Sequence, residues 1–371
     1  NKKEPDKYNY PQFKSYQKDF KIKDILEGVD YEGTFMMNGG KMVPNDEKNP
    51  ASLVFYRDGQ RFISVKAAKF NITHTRLLVE RASVVINLGG DSISNDGVSV
   101  RYQTTDKTVN IINDPQRNYY GPYTDSYHNL DIFCENISWR VGSDEVVFAN
   151  LGSEGDVSFC SFESANYFSM RKARELQGID EVNPTTLIYN YSKKKGVDGE
   201  FYVDEFAKAI HLDVVQARSM VHKLAGSGLV SFNESTQRVV CKPKLTAYVK
   251  AFNQVKNYDY DAIVLESSSK NGNARLDLSN NDLRVQGIKK FVVSDSQKVA
   301  IYPRKGQLVV HKNRDISFSG RIDAGRFVMF VTDGAFSYEK FHLDLPQVDS
   351  LYFYVKMFDK PDEERLVRTP L

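Results

Sequence analysis

The hydrophobic positions of this chain change their period twice. From about residue 52 to 148, and again from 261 to 355, short apolar runs alternate with polar residues, as β-strands require when one face is buried. Between them, residues 161–257 repeat apolar side chains every three or four positions, which is the spacing of amphipathic helices. The pattern therefore predicts a mainly β fold in which two β-rich modules flank a helical insert.

The first β-rich module, predicted over residues 51–160, contains short strands separated by Gly, Asn and Asp. These residue types form turns, and their recurrence every ~8 to 15 residues is typical of all-β structure. The predicted strands are 52–56, 62–67, 77–80, 83–88, 98–103, 109–112, 130–133, 138–141 and 146–148. A polar, tyrosine-rich lead-in, residues 1–50, precedes the module.

The helical insert, predicted over residues 161–257, carries recognisable helix start and stop residues. Asn183 is a favourable N-cap, and Pro184 occupies the first helical position, where its missing N–H costs nothing. Asp204 and Asp213 are two further predicted N-caps, and a Gly-Ser-Gly sequence ends the helix that follows Asp213. The predicted helices are 161–178, 184–195, 204–210, 214–225 and 244–256, with a short strand at 200–203 and a hairpin formed by 229–232 and 238–242.

The order of these elements over residues 184–245 resembles a winged-helix domain. That fold consists of helix, strand, helix, turn, helix and hairpin, and the resemblance rests on the pattern of apolar positions. It covers a small part of the 371-residue chain. The expected core comprises Phe206, Ala207, Ile210, Val214, Ala217, Val221, Leu224 and Leu229.

A second β-rich module is predicted over residues 258–358, and a polar tail, residues 359–371, follows it. Short strands with Asn, Asp and Gly at their corners fit a β-solenoid, whose coils stack on one another. A sandwich of two sheets fits the same pattern, so both architectures stay open. The predicted strands are 262–266, 274–278, 282–288, 291–293, 299–303, 307–311, 316–322, 326–331, 341–345 and 350–355.

The charge balance excludes a strong global electrostatic field. The chain has 50 Lys and Arg against 48 Asp and Glu, so attraction to nucleic acid or an anionic membrane would need a local basic patch. No apolar run reaches the ~18 residues that a membrane span needs, and residues 1–23 are too polar for a signal peptide. The hydrophobic content of 41% is sufficient for buried cores.

The three cysteines are an odd number without metal-ligand spacing, which favours buried free thiols. They are Cys134, Cys160 and Cys241. A disulfide between Cys134 and Cys160 requires that both face one interior and that the compartment is oxidising, and the sequence leaves this open. No cofactor or metal site is predicted.

The best-defined candidate surface is the predicted helix 214–225. In a DNA-binding winged helix, the exposed face of this helix enters the major groove, where Arg and Gln read base edges. From residue 184 to 245, however, nine Lys and Arg face six Asp and Glu, a small surplus for phosphate binding. We therefore favour a spacer or protein-contact role. The candidate nucleic-acid contacts are Gln216, Arg218, Ser219, His222, Lys223 and Arg238.

A second candidate surface is the aromatic segment 119–131, which combines four tyrosines with two carboxylates and a histidine. Clustered aromatic rings beside Asp suit a carbohydrate platform, although a structured loop explains the same residues. No catalytic residue is predicted, because acid–base chemistry requires a defined separation of its groups. The candidate glycan contacts are Tyr119, Tyr120, Tyr123, Asp125, Tyr127, His128 and Asp131.

A wider resemblance is carried by two sequences in the second β-rich module. They are residues 285–303, VQGIKKFVVSDSQKVAIYP, and residues 312–327, KNRDISFSGRIDAGRF. They resemble the central part of very large, uncharacterised proteins of Bacteroidota, and the resemblance extends over most of the chain from about Ser52. It implies a segment of a longer chain and a location in the cell envelope, in the periplasm or on the surface. It transfers no functional residue.

Together these features predict a non-enzymatic structural or protein-interaction segment of a larger protein. Its expected partners are other domains of the parent chain or separate proteins. Two alternatives remain: nucleic-acid binding through the winged helix, and carbohydrate binding or cleavage on the β modules. The first needs an exposed basic face on the 214–225 helix, and the second needs exposed aromatic rings in segment 119–131.

Overall fold

The protein is mainly β with few helices, as the hydrophobic pattern predicts. A computed structural model describes residues 12–38, 41–43, 50–113, 121–150, 156–165, 168, 170–177, 183–195, 199–234, 236–253, 263–294, 297–356 and 364–369.

The strands before the helices include two of 13 residues, β9 Arg76–Leu88 and β10 Asp91–Gln103. The sequence predicts 77–80 and 83–88 as separate strands. They form the single strand β9, because its pairing with β10 continues past Arg81, whose backbone is left-handed with φ 55°. The strands are β1 Gln12–Lys14, β2 Phe20–Leu26, β3 Val29–Gly33, β4 Met36–Asn38, β5 Lys41–Val43, β6 Ala51–Arg57, β7 Gln60–Ala67, β8 Phe70–Ile72, β9 Arg76–Leu88, β10 Asp91–Gln103, β11 Thr108–Ile112, β12 Tyr123–Asp125, β13 Leu130–Phe133, β14 Asn136–Arg140, β15 Glu145–Ala149 and β16 Ser158–Ser164.

The helical domain, as we call residues 170–252, follows β16. Its elements are α1 Met170–Gln177, α2 Pro184–Lys195, β17 Glu200–Tyr202, α3 Val203–Ala209, α4 Val214–Gly226, β18 Val230–Asn233, β19 Arg238–Cys241 and α5 Pro243–Phe252. Two of the predicted caps are present: Asn183 Oδ1 accepts from the backbone N–H of Thr185 at 2.9 Å, and Asp213 Oδ1 accepts from that of Val215 at 2.7 Å. These bonds satisfy N–H groups that a helix start leaves without partners. The cap predicted at Asp204 is wrong, because α3 begins one residue earlier and Asp204 lies in its first turn.

The strands after the helical domain are longer than the sequence predicts. One strand, β24 Val299–Val310, contains most of the two strands predicted at 299–303 and 307–311. Another, β27 His342–Lys356, contains most of those predicted at 341–345 and 350–355. Part of the predicted polar tail is also a strand, because β28 pairs with β27. The strands are β20 Val264–Ser269, β21 Ala274–Asp277, β22 Asp282–Val285, β23 Phe291–Ser294, β24 Val299–Val310, β25 Ile316–Ala324, β26 Phe327–Ser337, β27 His342–Lys356 and β28 Glu364–Thr369.

Antiparallel pairing joins the strands on both sides of the helical domain into one ladder. β15 pairs with β21, where Val146 lies opposite Leu276, and β16 pairs with β20, where Phe162 lies opposite Leu265. Buried side chains from both stretches form one hydrophobic cluster. The strands of this ladder therefore build one β unit on a shared core, where the sequence predicts two modules, and β1, β4 and β5 form a separate three-stranded sheet. The described strands contain no solenoid.

The strand ladder divides at β10. The first part of β10 pairs with β12, with Ile93 opposite Asp125, and its last part pairs with β11, with Ser99 opposite Ile112. One branch continues through β14, β15, β21 and β22, and the other through β13, β16 and β20. Side chains of both branches enter the common core, and Trp139 of β14 is fully buried there.

The predicted helix 161–178 is wrong over its first part. Residues 158–164 form β16, which pairs with β13 on one side and with β20 on the other. Phe162 is fully buried in the β core, and the helix begins only at Met170. The apolar residues of this segment fit a helical stripe equally well, and the two neighbouring strands decide the outcome.

The helical domain has a core of its own, distinct from that of the β unit. Phe206, Val221, Leu224 and Phe232 are fully buried in it, and burying each such side chain contributes about 1.5–3 kcal/mol. Val214 is an exception to the predicted core, since it is 37% exposed at the first position of α4.

A close backbone approach in the β unit explains a required glycine and generates a stability prediction. Gly287 has φ 76°, and its carbonyl accepts from the backbone N–H of Ser268 at 3.0 Å. A Cβ atom at Gly287 would overlap the carbonyl oxygen of Ser268. We expect Gly287→Ala to lower the free energy of unfolding by about 2–4 kcal/mol, from positive-φ strain and overlap together.

Urea unfolding followed by circular dichroism measures this loss. Gly90→Ala is the matched control, because an added Cβ at Gly90 has no atom within 4 Å and the backbone there is not left-handed. Its effect should stay within about 0.5 kcal/mol. Equal effects of the two substitutions would contradict the close approach.

Candidate functional site

The nucleic-acid face predicted from the sequence lies on α4, but its cations bond within the helical domain. Arg218 Nε donates to Gln237 Oε1 at 3.0 Å. Lys223 Nζ donates to the carbonyl oxygen of Leu176, in α1, at 2.8 Å. Both side chains are thereby held against their own domain.

The two other basic candidates, His222 and Arg238, lie beside carboxylates. His222 Nε2 lies 3.5 Å from Glu234 Oε1, and Glu234 also pairs with Arg81 of the β unit at 3.3 Å. Arg238 pairs with Glu200, and this hydrogen-bonded carboxylate raises the pKa of the guanidinium. The local charge is therefore partly neutralised where a phosphate backbone would have to bind.

The exposed start of α4 is apolar. Val215 is 69% exposed, and Leu212 and Val214 are each 37% exposed beside it. Of the nucleic-acid candidates, Gln216 and Ser219 are exposed here, and no hydrogen bond joins either side chain to another described residue. The start of α4 thus exposes mainly neutral polar and aliphatic side chains, and Lys223, which is also exposed, lies near the other end of the helix.

A buried ion pair joins the helical domain to the β unit. Lys244 Nζ, at the start of α5, lies 2.5 Å from Asp131 Oδ2 in β13. The two side chains are only 7% and 3% exposed. Attraction between charges is strong at such a dry contact, and separating the partners would leave a buried charge without compensation.

The hairpin β18–β19 and its continuation make further bonds across the same interface. Lys242 Nζ donates to Thr124 Oγ1 at 2.5 Å, and Ser231 Oγ donates to Asp96 Oδ2. Burial lowers the pKa of Lys242, and the charge of nearby Asp131 acts in the opposite direction. The hairpin that would touch phosphate in a DNA-binding winged helix is therefore bonded to the β unit.

The turn between α4 and β18 approaches the β unit so closely that it requires glycine. Gly228 has φ 72°, and a Cβ atom there would lie 2.9 Å from Asp131 Oδ2 and 3.0 Å from Pro122 Cγ. A second ion pair lies at the other end of the interface, where Lys172 Nζ is 2.5 Å from Glu163 Oε1. We call this set of contacts the docking interface.

A cleft of about 400 Å³ lies beside the docking interface. Clefts between structural units are common ligand sites, but they need polar groups that converge on the ligand. Here Arg81 and Arg238 already pair with carboxylates, and Asp96 accepts from two serine hydroxyls. Its lining includes Lys66, Arg81, Ser83, Asp96, Tyr202, Ser231, Asn233 and Arg238.

The glycan candidates from segment 119–131 are mostly buried. Tyr123, Asp125, His128 and Asp131 are each at most 2% exposed, so they present almost no surface to a sugar. Tyr127 is half-buried. Tyr119 and Tyr120 lie outside the described residues.

These buried groups form hydrogen bonds inside the β unit. Tyr123 donates from its hydroxyl to the carbonyl of Ile111 at 3.0 Å. His128 lies between two acceptors, with Nδ1 2.6 Å from Asp125 Oδ2 and Nε2 2.9 Å from the carbonyl oxygen of Asn281. The segment therefore links β12 and β13 to the turn after β21.

Within the described residues, no group of three or more His, Cys, Asp or Glu side chains is arranged to hold a metal ion. The helices among these residues are all too short or too polar to cross a membrane. All three cysteines are free thiols in the structure, with Cys134 and Cys160 buried.

The sequence matches no protein-family model, and the search of curated proteins found no match either.

Sequence reasoning misses the docking interface. Lys244 and Asp131 are 113 positions apart, and Ser231 and Asp96 are 135 apart. Neither pair has a local pattern, because opposite charges at such separations occur throughout a soluble chain. The one available signal is that Lys242 and Lys244 flank Pro243 at a predicted helix start, where cations oppose the helix dipole and need a compensating anion.

The docking interface predicts a large cost for losing one partner of the ion pair. We expect Lys244→Met to lower the free energy of unfolding by about 3–5 kcal/mol, because Asp131 would remain buried without its cation. Adding Asp131→Asn should recover much of the loss. Chemical unfolding curves of the single and double variants provide the measurement.

Lys250→Met is the control for this prediction, because Lys250 is exposed on the same helix. Its substitution should change the free energy of unfolding by no more than about 0.5 kcal/mol. If Lys244→Met behaves like the control, the pair does not hold the interface together.

Proposed function

We propose that this chain is a non-enzymatic structural and protein-interaction segment. In it, residues 184–245 form a winged-helix-like domain that is docked on the β unit and held in a fixed orientation. The observation that carries the proposal is the buried pair Lys244–Asp131 at the centre of the docking interface. A domain that must move or wrap around a ligand would not bury an ion pair against its neighbour, because each opening would expose or strand those charges.

The electrostatics support a contact role over nucleic-acid reading. Binding to DNA depends on cations that are free to replace counterions along the phosphate backbone. Arg218, Lys223 and Arg238 instead bond to an amide, a carbonyl and a carboxylate of their own domain. Reading a base would first require breaking these bonds.

The exposed apolar residues support a protein partner. The start of α4 exposes Val215 and its two neighbours, as described above, on a rigid element. At the far end of the β unit, β26 to β28 also expose Phe327, Phe330 and Leu366. Exposed apolar and aromatic side chains on ordered elements are typical of protein–protein contact surfaces.

The nucleic-acid alternative is tested by titrating a labelled DNA duplex into the protein at low and at physiological salt. We expect no saturable, salt-dependent change in fluorescence anisotropy, because the basic side chains of α4 and the hairpin are internally bonded. Gln216→Ala with Ser219→Ala is the informative double variant, since these two side chains are exposed. Saturable binding that this variant abolishes would overturn the proposal.

The fixed orientation is tested by a distance measurement between the helical domain and the β unit. Spin labels at Ser219→Cys and Lys69→Cys should give one narrow distance distribution. Both positions are exposed, and Ser219 belongs to the helical domain whereas Lys69 belongs to the β unit. Adding Lys244→Met should broaden the distribution, and Lys250→Met should not. The chain without added cysteines shows whether the three native thiols escape labelling, two of which are buried.

A broad distribution in the protein with an intact docking interface would contradict the proposal. It would mean that the helical domain moves relative to the β unit and is free to present a different face.

A further inference from the structure

Cys134 directly follows β13, and Cys160 lies in the neighbouring strand β16. β13 and β16 are antiparallel, and their last paired residues are Phe133 and Ser161. The next position in the same register places Cys134 opposite Cys160. Their exposed fractions are 0% and 4%, and both belong to the core of the β unit. The condition left open by the sequence, that both thiols face one interior, is therefore met.

The hydrogen-bond pattern shows whether Cys134 and Cys160 form a hydrogen-bonded or a non-hydrogen-bonded pair. The backbone N–H of Ala165 donates to the carbonyl of Asn129 at 2.8 Å, and hydrogen-bonded pairs alternate with non-hydrogen-bonded pairs along an antiparallel ladder. The Asn129–Ala165 pair is hydrogen-bonded. Cys134 and Cys160 lie five positions further along the ladder, so they form a non-hydrogen-bonded pair. At such positions the Cα atoms are about 4.5 Å apart, which lies at the lower end of the range that disulfides span.

The neighbouring groups of the two thiols are polar atoms of the same unit. The Cys160 sulfur lies 3.6 Å from Asn150 Oδ1, and the Cys134 sulfur lies 3.8 Å from the carbonyl oxygen of Asn136. Burial raises the pKa of the Cys134 thiol, and the neighbouring Cys160 thiol acts in the same direction.

We propose that Cys134 and Cys160 are a disulfide site that closes when the chain folds in the presence of a low-molecular-weight disulfide. The thiolate of one cysteine attacks the small disulfide and releases one small thiol. The second cysteine then attacks the mixed disulfide and releases the other. The two protein thiols lose two electrons and two protons in total, and the small disulfide is reduced to two thiols.

The burial of the pair determines when this exchange takes place. Thiolates are the reactive form, and burial disfavours them, so the folded reduced protein exchanges slowly. The site therefore closes during folding or during local opening of β13 and β16. Once formed, the bond closes a loop that contains β14 and β15, which restricts the unfolded chain more than the folded one.

The test is refolding of the full chain in a buffer of reduced and oxidised glutathione, followed by counting thiols after denaturation. The chain has three cysteines, and we expect one free thiol after oxidative refolding and three after refolding with reductant. Tryptic peptides containing Cys134 and Cys160 should be joined in the oxidised sample. The midpoint of thermal unfolding should rise by several degrees and return on reduction.

The variant Cys241→Ser is the control for the identity of the remaining thiol, and it should have none after oxidative refolding. Cys134→Ala and Cys160→Ala should each keep one thiol of the pair or carry a single glutathione. Three free thiols, glutathione adducts alone, or a link to Cys241 in the oxidised wild-type chain would overturn the proposal. The wild-type chain alone supplies the thiol count and the peptide link, so the test does not depend on any variant folding.

Discussion

One pair of residues fixes where the helical domain leaves and re-enters the β unit. The backbone N–H of Ser164 donates to the carbonyl of Ile263 at 2.9 Å, and from this point β16 and β20 run side by side over the shared core. The opposite edge of β16 is paired with β13, so the exit is held from both sides. Because the two ends of the helical domain are neighbours, the β core can form whatever the helical domain contains. The orientation of the helical domain therefore has to be set by additional contacts.

The docking interface supplies these contacts through polar groups rather than through a large apolar surface. A buried ion pair contributes little net stability, because desolvation of the two ions offsets their attraction. It strongly penalises any arrangement that separates Lys244 from Asp131, however, and Gly228 permits the close backbone approach that keeps the two together. The interface therefore selects one orientation of the helical domain, which the cores of the two units alone would not specify.

The sequence predicts what local patterns encode. The two N-caps and the helix from Pro184 to Lys195 follow from cap residues and periodicity, and most of the early strands follow from alternation. It does not predict that β16 is a strand, because the residues around Phe162 satisfy both periods and the decision comes from partners distant in the chain. The shared core, most of the docking interface and the burial of His128 escape prediction for the same reason, since pairs such as Lys244–Asp131 and His128–Asn281 are more than a hundred positions apart.

A fold capable of DNA binding does not by itself imply that activity, because function resides in the groups that a fold leaves available. In this chain the hairpin bonds to the β unit, and the arginines of α4 and β19 are held by Gln237 and Glu200. What remains accessible at the start of α4 is a small aliphatic surface around Val215, on a domain that is bonded to the β unit. A preorganised apolar surface loses little conformational freedom when a partner covers it, which favours protein contact. The same docking would be a disadvantage for reading DNA, because the hairpin could not follow a phosphate backbone without breaking the bond between Ser231 and Asp96.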